Sequence, residues 1–379
     1  MNILIVTNYL PPKIGGIERF SHEIAIALNE INGVEVSVAS ARWPSSPDQD
    51  TSQSVVYPYK VLYFPSISLF RRLPIPNPFT KGFWSQVKEL NGGFDLVLYQ
   101  SHLFILNWFI AFKLRKIKRR VWMNHGCNYV PLNSKVGNLI SLTYERVGMA
   151  LMKGLCNEFV GQSSNAAKWI SSKVGISFRV LSNATKLDGF QMGPELVKSQ
   201  TRTKVLFVGR LVEGKGLLEC IYSVSKANDV LLQSGDPQLF TLTVVGAGPL
   251  ISRVPRQGLN VEIDYRGELS HPDVVTCMYE SDILIQAYTQ PEGLTTVTLE
   301  GLSTGLLIVT TPLSGGEDLQ ECTNYISGNL TELSNLLLRA RELPESRNEL
   351  LSAGRSFIRN GLTWDAIALK LIRHQYSKF

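Results

Sequence analysis

Short, continuous runs of apolar and β-branched residues alternate along this chain with stretches whose apolar positions recur at helical spacing. Runs such as 2–8 and 204–209 predict strands buried on both faces, because a strand with one wet face would alternate apolar and polar residues. The segment 16–30 has the pattern of an amphipathic helix. Buried strands separated by helices predict parallel sheets covered on both faces, which is the doubly wound α/β arrangement.

The strands form two series on either side of a polar stretch, residues 184–203, that is typical of a linker. The first series is 2–8, 34–40, 60–64, 94–100, 119–124 and 157–162, with a helix through Lys116 after the fourth strand. The second series is 204–209, 240–246, 261–267, 282–288 and 306–311, with a helix between successive strands. From about Thr331 to Phe379 the pattern predicts helix throughout.

Two series of strands predict two doubly wound domains in one chain. Ligands of such sheets bind beyond the carboxyl ends of the strands, so the natural site is a cleft between the two domains. The composition agrees with two folded domains, since the 379 residues are 44% hydrophobic and 18% charged. The net charge of +6 is compatible with an anionic ligand or an anionic membrane surface, without requiring either.

The cysteines and the N-terminus indicate a reducing compartment. The five cysteines are far apart and form no CxxC or metal-binding spacing. The N-terminal residues lack a basic region and a cleavage site, and no apolar run reaches the roughly 18 residues of a membrane-spanning helix. We therefore expect a cytoplasmic protein.

A strand-to-helix turn, "VGRLVEGKG" (208–216), carries Arg210 and Lys215. A guanidinium and an ammonium at such a turn suit a diphosphate, and the free N–H groups of the helix start would add to the site. Taken alone, a turn of this kind is more often solvated surface. Further along, "VVGAGP" (244–249) places Gly246 and Gly248 where the backbone either approaches a ligand or forms a tight turn. Ile251 stands where a dinucleotide fingerprint needs its third glycine, which disfavours a nicotinamide enzyme.

Two carboxylates, Glu292 and Glu300, stand eight positions apart in "QPEGLTTVTLEGLSTG" (290–305). A helix is predicted to begin near Thr295 or Thr296, whose hydroxyl can cap it. Eight residues of helix span about 12 Å, comparable with the distance from ribose to hexose in a nucleotide sugar. Each carboxylate can accept hydrogen bonds from sugar hydroxyls, although a single glutamate near a helix start would simply complement the dipole.

Taken together, these motifs resemble a GT-B glycosyltransferase of family 4. The element "EGLTTVTLE" is similar to the E-x7-E donor signature of that family, and "VGRLVEGKG" resembles its phosphate-binding segment. The segments "VVGAGP", "LSNATKLDGF" (181–190) and "LTWDAIAL" (362–369) follow in the family order, so the resemblance covers nearly the whole chain. Two positions depart from it, because the family commonly has glycine where Thr295 stands and alanine where Gly301 stands.

The resemblance extends to the N-terminal half. The segment "PPKIGGIERF" (11–20) looks like the glycine loop of the family, in which Gly15 and Gly16 would open space for phosphate or acceptor; a glycine that only shapes the turn is the alternative. In "VWMNHG" (121–126), His125 occupies the position of a family histidine that faces the donor sugar. Without that context, a structural histidine would be the simpler interpretation.

The resemblance implies a GT-B fold of two Rossmann-like doubly wound domains that face a central cleft. Residues 1–182 would bind the acceptor, with a C-terminal helix over 363–379 completing that domain, and residues 183–362 would bind the nucleotide sugar. The implied catalytic residues are His125, Arg210, Lys215 and Glu292. The implied donor-binding residues are Gly15, Gly16, Gly209, Arg210, Lys215, Gly246, Gly248, Gly293, Leu294, Thr295, Thr296 and Glu300.

The implied reaction is transfer of a hexose from a nucleotide diphosphate sugar to a glycan or lipid-linked acceptor, with retention at the anomeric carbon. It would serve the biosynthesis of a cell-surface polysaccharide, with no metal, no cofactor and no nucleic-acid partner. Two alternatives stay open: a nucleotide-sugar epimerase of the same architecture, and a non-catalytic subunit with a degenerate site. The intact set of Arg210, Lys215, Glu292 and Glu300 argues against the second.

Two further features allow more than one interpretation. The "DQD" at 48–50 imitates a metal-binding motif, but it lies in a predicted loop and receives little weight. The segment "KLRKIKRR" (113–120) follows the apolar "LFILNWFIAF" (103–112). This basic run would dock a peripheral protein on anionic lipid, or it is a solvated helix end whose cations complement the dipole.

Overall fold

A computed structural model of the chain describes residues 1–11, 15–42, 56–69, 73–91, 93–126, 134–187, 202–255, 257–290, 292–313, 319, 322–343 and 347–376. The chain divides into two compact units. The first unit comprises Met1–Ser182 together with Trp364–Phe379, and the second comprises Asn183–Thr363. The "DQD" segment and Cys127 lie outside the described residues.

The strands are β1 (Asn2–Thr7), β2 (Glu35–Ala41), β3 (Lys60–Phe64), β4 (Ser66–Leu69), β5 (Leu73–Pro76), β6 (Leu96–Gln100), β7 (Arg119–Asn124), β8 (Glu158–Gly161), β9 (Arg179–Val180), β10 (Arg202–Val208), β11 (Leu239–Val245), β12 (Glu262–Gly267), β13 (Ile283–Gln286), β14 (Leu307–Thr310) and β15 (Tyr325–Ser327). The helices are α1 (Gly16–Asn29), α2 (Lys81–Glu89), α3 (Ile105–Lys113), α4 (Lys135–Leu155), α5 (Ser164–Val174), α6 (Leu217–Gln233), α7 (His271–Tyr279), α8 (Thr296–Ser303), α9 (Leu333–Glu342), α10 (Arg347–Arg359) and α11 (Trp364–Arg373). No helix within the described ranges is both long and apolar enough to cross a membrane.

The sheet of the first unit is parallel throughout, with strand order β3-β2-β1-β6-β7-β8-β9. Its central strands are buried on both faces, as the continuous apolar runs predict; Tyr99 and Trp122 are completely inaccessible to solvent. The order of the strands reverses between β1 and β6, and ligands of such sheets bind at this switch point. The antiparallel hairpin of β4 and β5 was not predicted from the sequence.

The sheet of the second unit is also parallel, with strand order β12-β11-β10-β13-β14-β15. This is the Rossmann order, and its switch point lies between β10 and β13. Serine and threonine side chains cap the N-termini of several helices by accepting a hydrogen bond from a backbone N–H. At the start of α7, for example, the Ser270 hydroxyl accepts from the N–H of Asp273. The prediction of parallel, doubly wound sheets is therefore confirmed in both units.

The prediction of an α-helix between the strands at 240–246 and 261–267 is wrong. A short 3₁₀ helix, Pro249–Arg253, occupies that place. Pro255 follows two residues later, and a proline both lacks an N–H and disfavours helical backbone in the residue before it. Gly258 then adopts a left-handed φ of 79°, so the segment turns instead of continuing as a helix.

The continuous helix predicted from Thr331 to Phe379 is also wrong. Three helices, α9, α10 and α11, occupy this region, and Thr363 forms a parallel bridge with Thr185 before α11 begins. The helix predicted over 363–379 ends at Arg373, because His374 takes a left-handed φ of 57°. The helix predicted to run through Lys116 likewise ends at Lys113.

The stretch 184–203 is not a linker over its whole length. Its first residues belong to the second unit, where Thr185 pairs with Thr363, and its last two form the start of β10. The central part, 188–201, lies outside the described residues.

Within the first unit, Arg119 on β7 binds the C-terminal end of α11. Its guanidinium makes two bonds to Glu158, Nε–Oε1 at 2.8 Å and Nη2–Oε2 at 2.9 Å, and it donates to the carbonyls of Leu371 and Ile372 at 2.9 Å. The side chains of Arg119 and Glu158 are only 11% and 13% exposed. Burial is the largest single influence on Glu158 and opposes its ionisation. The hydrogen bonds and charge of Arg119, together with Tyr376 and His374, outweigh burial and hold the pKa of that carboxyl below its ordinary value.

Replacing Arg119 by glutamine is expected to destabilise the first unit by about 2 kcal/mol, less than the roughly 3–5 kcal/mol of a fully buried pair, because some solvent reaches it. Urea unfolding at pH 7 measures this loss, and limited proteolysis should cut more rapidly near Arg373. The exposed neighbour Lys118 provides the control, since Lys118→Gln should change stability by less than about 0.5 kcal/mol. Equal midpoints for Arg119→Gln and the wild type would contradict the assignment.

Candidate functional site

The site in the second unit is built at the switch point of its sheet. The loop after β10 carries Arg210 and Lys215, and the loop after β13 carries Glu292. The N–H of Thr289 donates to the carbonyl of Gly214 at 3.2 Å, which joins the two loops. The structure therefore brings together the Arg/Lys turn and the first carboxylate, although they lie some 80 positions apart in the sequence.

The glycines of the second unit let neighbouring loops approach one another. Gly216 begins α6 with a left-handed φ of 77°, and a Cβ there would collide with the carbonyl of Ala287. A Cβ on Gly246 would collide with the carbonyl of Gly209, and one on Gly248 with that of Leu211. The space beside Gly246 and Gly248 is thus filled by protein backbone, which favours the tight-turn interpretation of "VVGAGP" at those positions.

Lys215 forms an ion pair with Oε1 of Glu292. Its ammonium also lies 5.4 Å from the centre of the Tyr288 ring, within reach of a cation–π attraction. Both members of the pair keep access to solvent, with about a quarter of each side chain exposed. Arg210 is exposed, and its guanidinium has no hydrogen bond or ion pair among the residues that the structure describes. One cation is therefore held in place, and the other is available to an anion.

A buried polar network connects Tyr288 to the start of α8. Gln286 donates to the Tyr288 hydroxyl at 2.7 Å and accepts from the hydroxyl of Thr298 at 2.7 Å. Thr298 in turn lies 2.8 Å from the hydroxyl of Thr295, which caps the helix by accepting from the Thr298 N–H at 3.2 Å. The predicted cap at Thr295 is confirmed. Gln286 and Tyr288 were missed in the sequence because they lie within an apolar strand and its end.

Both departures from the family pattern have a structural explanation. Thr295 supplies the cap just described, which a glycine would not. Gly301 lies against the sheet, where a Cβ would come within 2.9 Å of side-chain atoms of Ile308 and Leu284. The hydroxyl of Thr296 accepts from Asn183 at 2.8 Å, so the start of α8 is also tied to the first residue of the unit.

Glu300 lies on the second turn of α8, as predicted, and is almost completely buried. Its Oε1 is 2.8 Å from Nε2 of His271, the first residue of α7, whose side chain is half exposed. The two carboxylates therefore have different cationic or polar partners, Lys215 for Glu292 and His271 for Glu300. His271 carried no sequence signal, because the helix that presents it is 29 residues from Glu300 in the chain.

Gly293 and Leu294 connect Glu292 to the start of α8. Leu294 is buried within the core of the second unit, so a ligand would meet only its backbone. Gly209 follows β10 directly and donates its N–H to Val245 at 3.0 Å. The assignment of these residues to donor binding stays a prediction.

In the first unit, His125 follows β7 at the carboxyl edge of the sheet. Its Nε2 is hydrogen-bonded to Oε1 of Gln100, the last residue of the neighbouring strand β6. Burial lowers the pKa of His125 to about 4, a shift that hydrogen bonding with Gln162 partly offsets. The imidazole is therefore neutral at pH 7 and can act on a ligand as a hydrogen-bonding group but not as a cation.

A phenylalanine packs against His125, and two glycines begin the first helix of this unit. The ring of Phe20 packs edge-on against both His125 and Trp364, with centroids 5.2 Å and 5.3 Å away, so the C-terminal helix supports the histidine through one phenylalanine. Gly15 and Gly16 begin α1, directly after the loop that follows β1. A Cβ on Gly16 would meet no atom within 4 Å, which is consistent with open space at that position.

The basic run 113–120 is not a single solvated surface. Lys113, Arg115, Lys116 and Lys118 are exposed. Arg119 is engaged with Glu158 as described above, and Arg120 donates to the carbonyls of Leu155 and Ile117. The last two cations point inward because β7 begins at Arg119. The preceding apolar stretch is buried or half-buried, with Phe112 as its exposed exception. No group of three or more metal-ligating side chains lies together in the described part of the chain.

Comparison with known proteins identifies relatives of both units. The family described as Glycosyltransferase Family 4 matches residues 14–188, and the family described as Glycosyl transferases group 1 matches residues 202–340. An uncharacterized glycosyltransferase of Methanocaldococcus jannaschii is 26% identical over 335 residues, which cover 84% of this chain and 83% of the relative.

Solved structures give the same assignment of the fold. HepE of Anabaena, in complex with UDP-glucose, has a TM-score of 0.70 at 18% identity, and the match covers 99% of each chain. Sucrose-phosphate synthase of Thermosynechococcus elongatus has a TM-score of 0.68 at 15% identity, with 99% of this chain and 98% of that chain covered. At such identities the likeness concerns the fold, which is GT-B, and the GT-B prediction is confirmed.

Proposed function

We propose that this chain, which belongs to the GT-B glycosyltransferases, transfers a hexose with retention of anomeric configuration. Its assignment to these enzymes rests on the two family matches, Glycosyltransferase Family 4 over residues 14–188 and Glycosyl transferases group 1 over residues 202–340. It is an enzyme that uses a nucleotide-sugar donor. The proposed acceptor is a glycan or a lipid-linked glycan of a cell-surface polysaccharide. The proposed donor half is the second unit, and the proposed acceptor half is the first.

The observation that carries the proposal is the pair of cations at the switch point. The guanidinium of Arg210 is exposed and unpaired within the described residues, and Lys215, in the same loop, is held by Glu292 and Tyr288. A diphosphate leaving group gains negative charge as its bond to the sugar breaks. Cations that are already in position stabilise this charge without reorganising, which is the largest catalytic contribution in many enzymes.

The proposed reaction takes place on one face of the sugar. The bond between the anomeric carbon and the β-phosphate oxygen breaks, and the acceptor hydroxyl oxygen bonds to the same face of that carbon. The hydroxyl proton passes to the departing β-phosphate oxygen, so no protein base is needed. Arg210 and Lys215 would bind the diphosphate, Glu300 the ribose, and Glu292 the sugar hydroxyls. His125, neutral at pH 7, would donate or accept a hydrogen bond at the sugar.

The proposed reaction is tested by incubating the protein with UDP-, GDP-, ADP- and dTDP-hexoses and a lipid-linked or soluble glycan acceptor. We expect one donor to be consumed only with acceptor, giving a product with the anomeric configuration of the donor by NMR. Because the two cations supply the charge stabilisation, EDTA should leave the rate unchanged. An inverted product would refute retention, and loss of activity restored by Mg²⁺ or Mn²⁺ would refute metal independence. Interconversion of sugars without acceptor would instead identify an epimerase.

A further inference from the structure

The longest helix of the described residues, α4, exposes an apolar stripe to solvent. Its five large members are between 40% and 69% exposed: Val136, Leu139, Ile140, Val147 and Leu151. These positions recur at intervals of three, four or seven residues, so they share one face of the helix. The small residues Thr143 and Ala150 complete this face. Single exposed apolar residues need no explanation, but a contiguous face of them marks an interaction surface.

The opposite face of α4 is fixed against the first unit, so rotation of the helix cannot bury the stripe. Met149 and Met152 belong to the core. The Tyr144 hydroxyl donates to the carbonyl of Leu103, and its ring lies 5.0 Å from that of Trp108 on α3. Gly148 lies so close to the same tryptophan that a Cβ there would come within 2.9 Å of its ring. Among the described residues of this chain, nothing covers the stripe, which is therefore open to a partner.

The charges beside the stripe are all positive. Lys135, Arg146 and Lys153 are separated by eleven and seven residues, about three and two helical turns, so they line one flank of it. The only carboxylate of the helix, Glu145, is buried. An occupant of this face must therefore combine an apolar interior with an anionic border.

Additional cations lie at the end of the helix that packs beside α4. The helices α3 and α4 pack together and both return from the carboxyl ends of adjacent strands, β6 and β7, so their C-terminal ends lie at the same edge of the sheet. The exposed residues Phe112, Lys113 and Lys116 stand at the end of α3. The exposed part of the basic run thus lies at the C-terminal end of the helix that packs beside α4, at the same edge of the sheet as the end of α4 that carries Leu151.

We propose that α4 lies in the interface of a membrane rich in anionic lipid, with its apolar stripe among the acyl chains. An amphipathic helix with cations on its polar flanks binds such a surface through buried apolar area and through attraction to the headgroups. A second copy of this chain is the less suitable occupant. A two-fold contact through this face would bring the stripe of each copy against the other and oppose cations to cations.

The membrane contact deepens the proposed function, because it would hold the first unit on the surface that carries a lipid-linked acceptor. That consequence rests on the proposed function, whereas vesicle binding itself does not. A protein that binds vesicles but transfers no sugar would retain the docking surface and lose the proposed reaction.

Co-sedimentation with vesicles tests the surface directly. The wild-type protein should bind vesicles of phosphatidylcholine and phosphatidylglycerol, bind pure phosphatidylcholine much less, and be partly released by 0.5 M salt, since screening weakens only the electrostatic part. The triple variant Leu139→Gln, Ile140→Gln and Val147→Gln keeps every charge and uses a good helix former. It should lower the partition coefficient on anionic vesicles at least about tenfold, roughly 1.4 kcal/mol.

The matched control replaces three exposed apolar residues of α6 in the second unit. The variant Tyr222→Gln, Val230→Gln and Leu232→Gln removes a similar exposed apolar area and should bind vesicles like the wild type. Donor hydrolysis should be equal in all three proteins. Equal vesicle binding by the α4 variant and the wild type would overturn the proposal, as would a wild type that binds neither vesicle. A dimer that sedimentation velocity shows to dissociate in the α4 variant would identify a second copy as the occupant.

Discussion

Replacing Lys215 by alanine is expected to lower kcat about 100- to 1000-fold, the range found when one preorganised donor to a developing negative charge is removed. The effect should fall on the chemical step, because the charge on the diphosphate grows only as the bond to the sugar breaks. The structure adds a second cost, since the variant leaves Glu292 without its cation beside an anionic leaving group. Steady-state kinetics with the identified donor measure the loss.

Arg210 should show a related but distinct response. Arg210→Ala should lower kcat and also weaken binding of the nucleotide diphosphate, because Arg210 is exposed and free to meet an incoming anion. Arg210→Lys should recover only part of the activity, since one ammonium cannot reproduce the two parallel bonds of a guanidinium. Arg253, paired with Glu213 on the same unit and more than half exposed, provides the control. Near-wild-type kinetics in both Lys215→Ala and Arg210→Ala would refute the phosphate assignment.

The ion pair itself can be tested by a double-mutant cycle. If Lys215 and Glu292 act as one unit, the variant that combines Lys215→Met with Glu292→Gln should lose less than the sum of the two single losses. Additive losses would show that the two groups contribute independently and that their contact has no part in turnover.

Most strands were predictable because they are continuous apolar runs, which are typical of strands buried on both faces. The hairpin strands β4 and β5 and the short strands β9 and β15 were not predicted. Most observed boundaries lie within two residues of the predicted ones. The failures have local causes. Pro255 shortened one predicted helix, and Thr363 interrupted the C-terminal one by pairing with Thr185. Neither effect is visible in periodicity, which records burial and not the geometry of a turn.

The candidate site was predictable only where its residues occur close together in the sequence. Arg210 and Lys215 share one turn, and the spacing of Glu292 from Glu300 is a local motif. His271 approaches Glu300 only because α7 and α8 follow different strands of the same sheet. No sequence pattern predicts such a contact. The basic run was predicted as a single surface for a related reason. In the sequence Arg119 resembles its neighbours, but a strand begins at this residue and directs its side chain toward Glu158.

Substitutions of the two carboxylates should affect the free nucleotide and the nucleotide sugar differently. Glu300→Gln is expected to weaken binding of both ligands roughly 10- to 100-fold, because ribose is common to them and a hydrogen bond to a charged group contributes about 1.5–3 kcal/mol. Glu292→Gln should lower kcat with the intact donor far more than it lowers affinity for the free nucleotide diphosphate. Calorimetry with each ligand gives the affinities, and equal losses for both ligands in both variants would contradict this division.

His271 shows whether Glu300 acts as a positioned carboxylate or as a structural one. The imidazole lies 2.8 Å from the carboxylate and is half exposed. We therefore expect His271→Ala to weaken the binding of both ligands several-fold without unfolding the unit. In the Glu300→Gln background the same substitution should have little further effect, because the group that it positions is already neutral. A histidine with only a structural role in α7 would give additive losses in stability and no coupling in affinity. Coupling in affinity would therefore place His271 in the nucleotide site through Glu300.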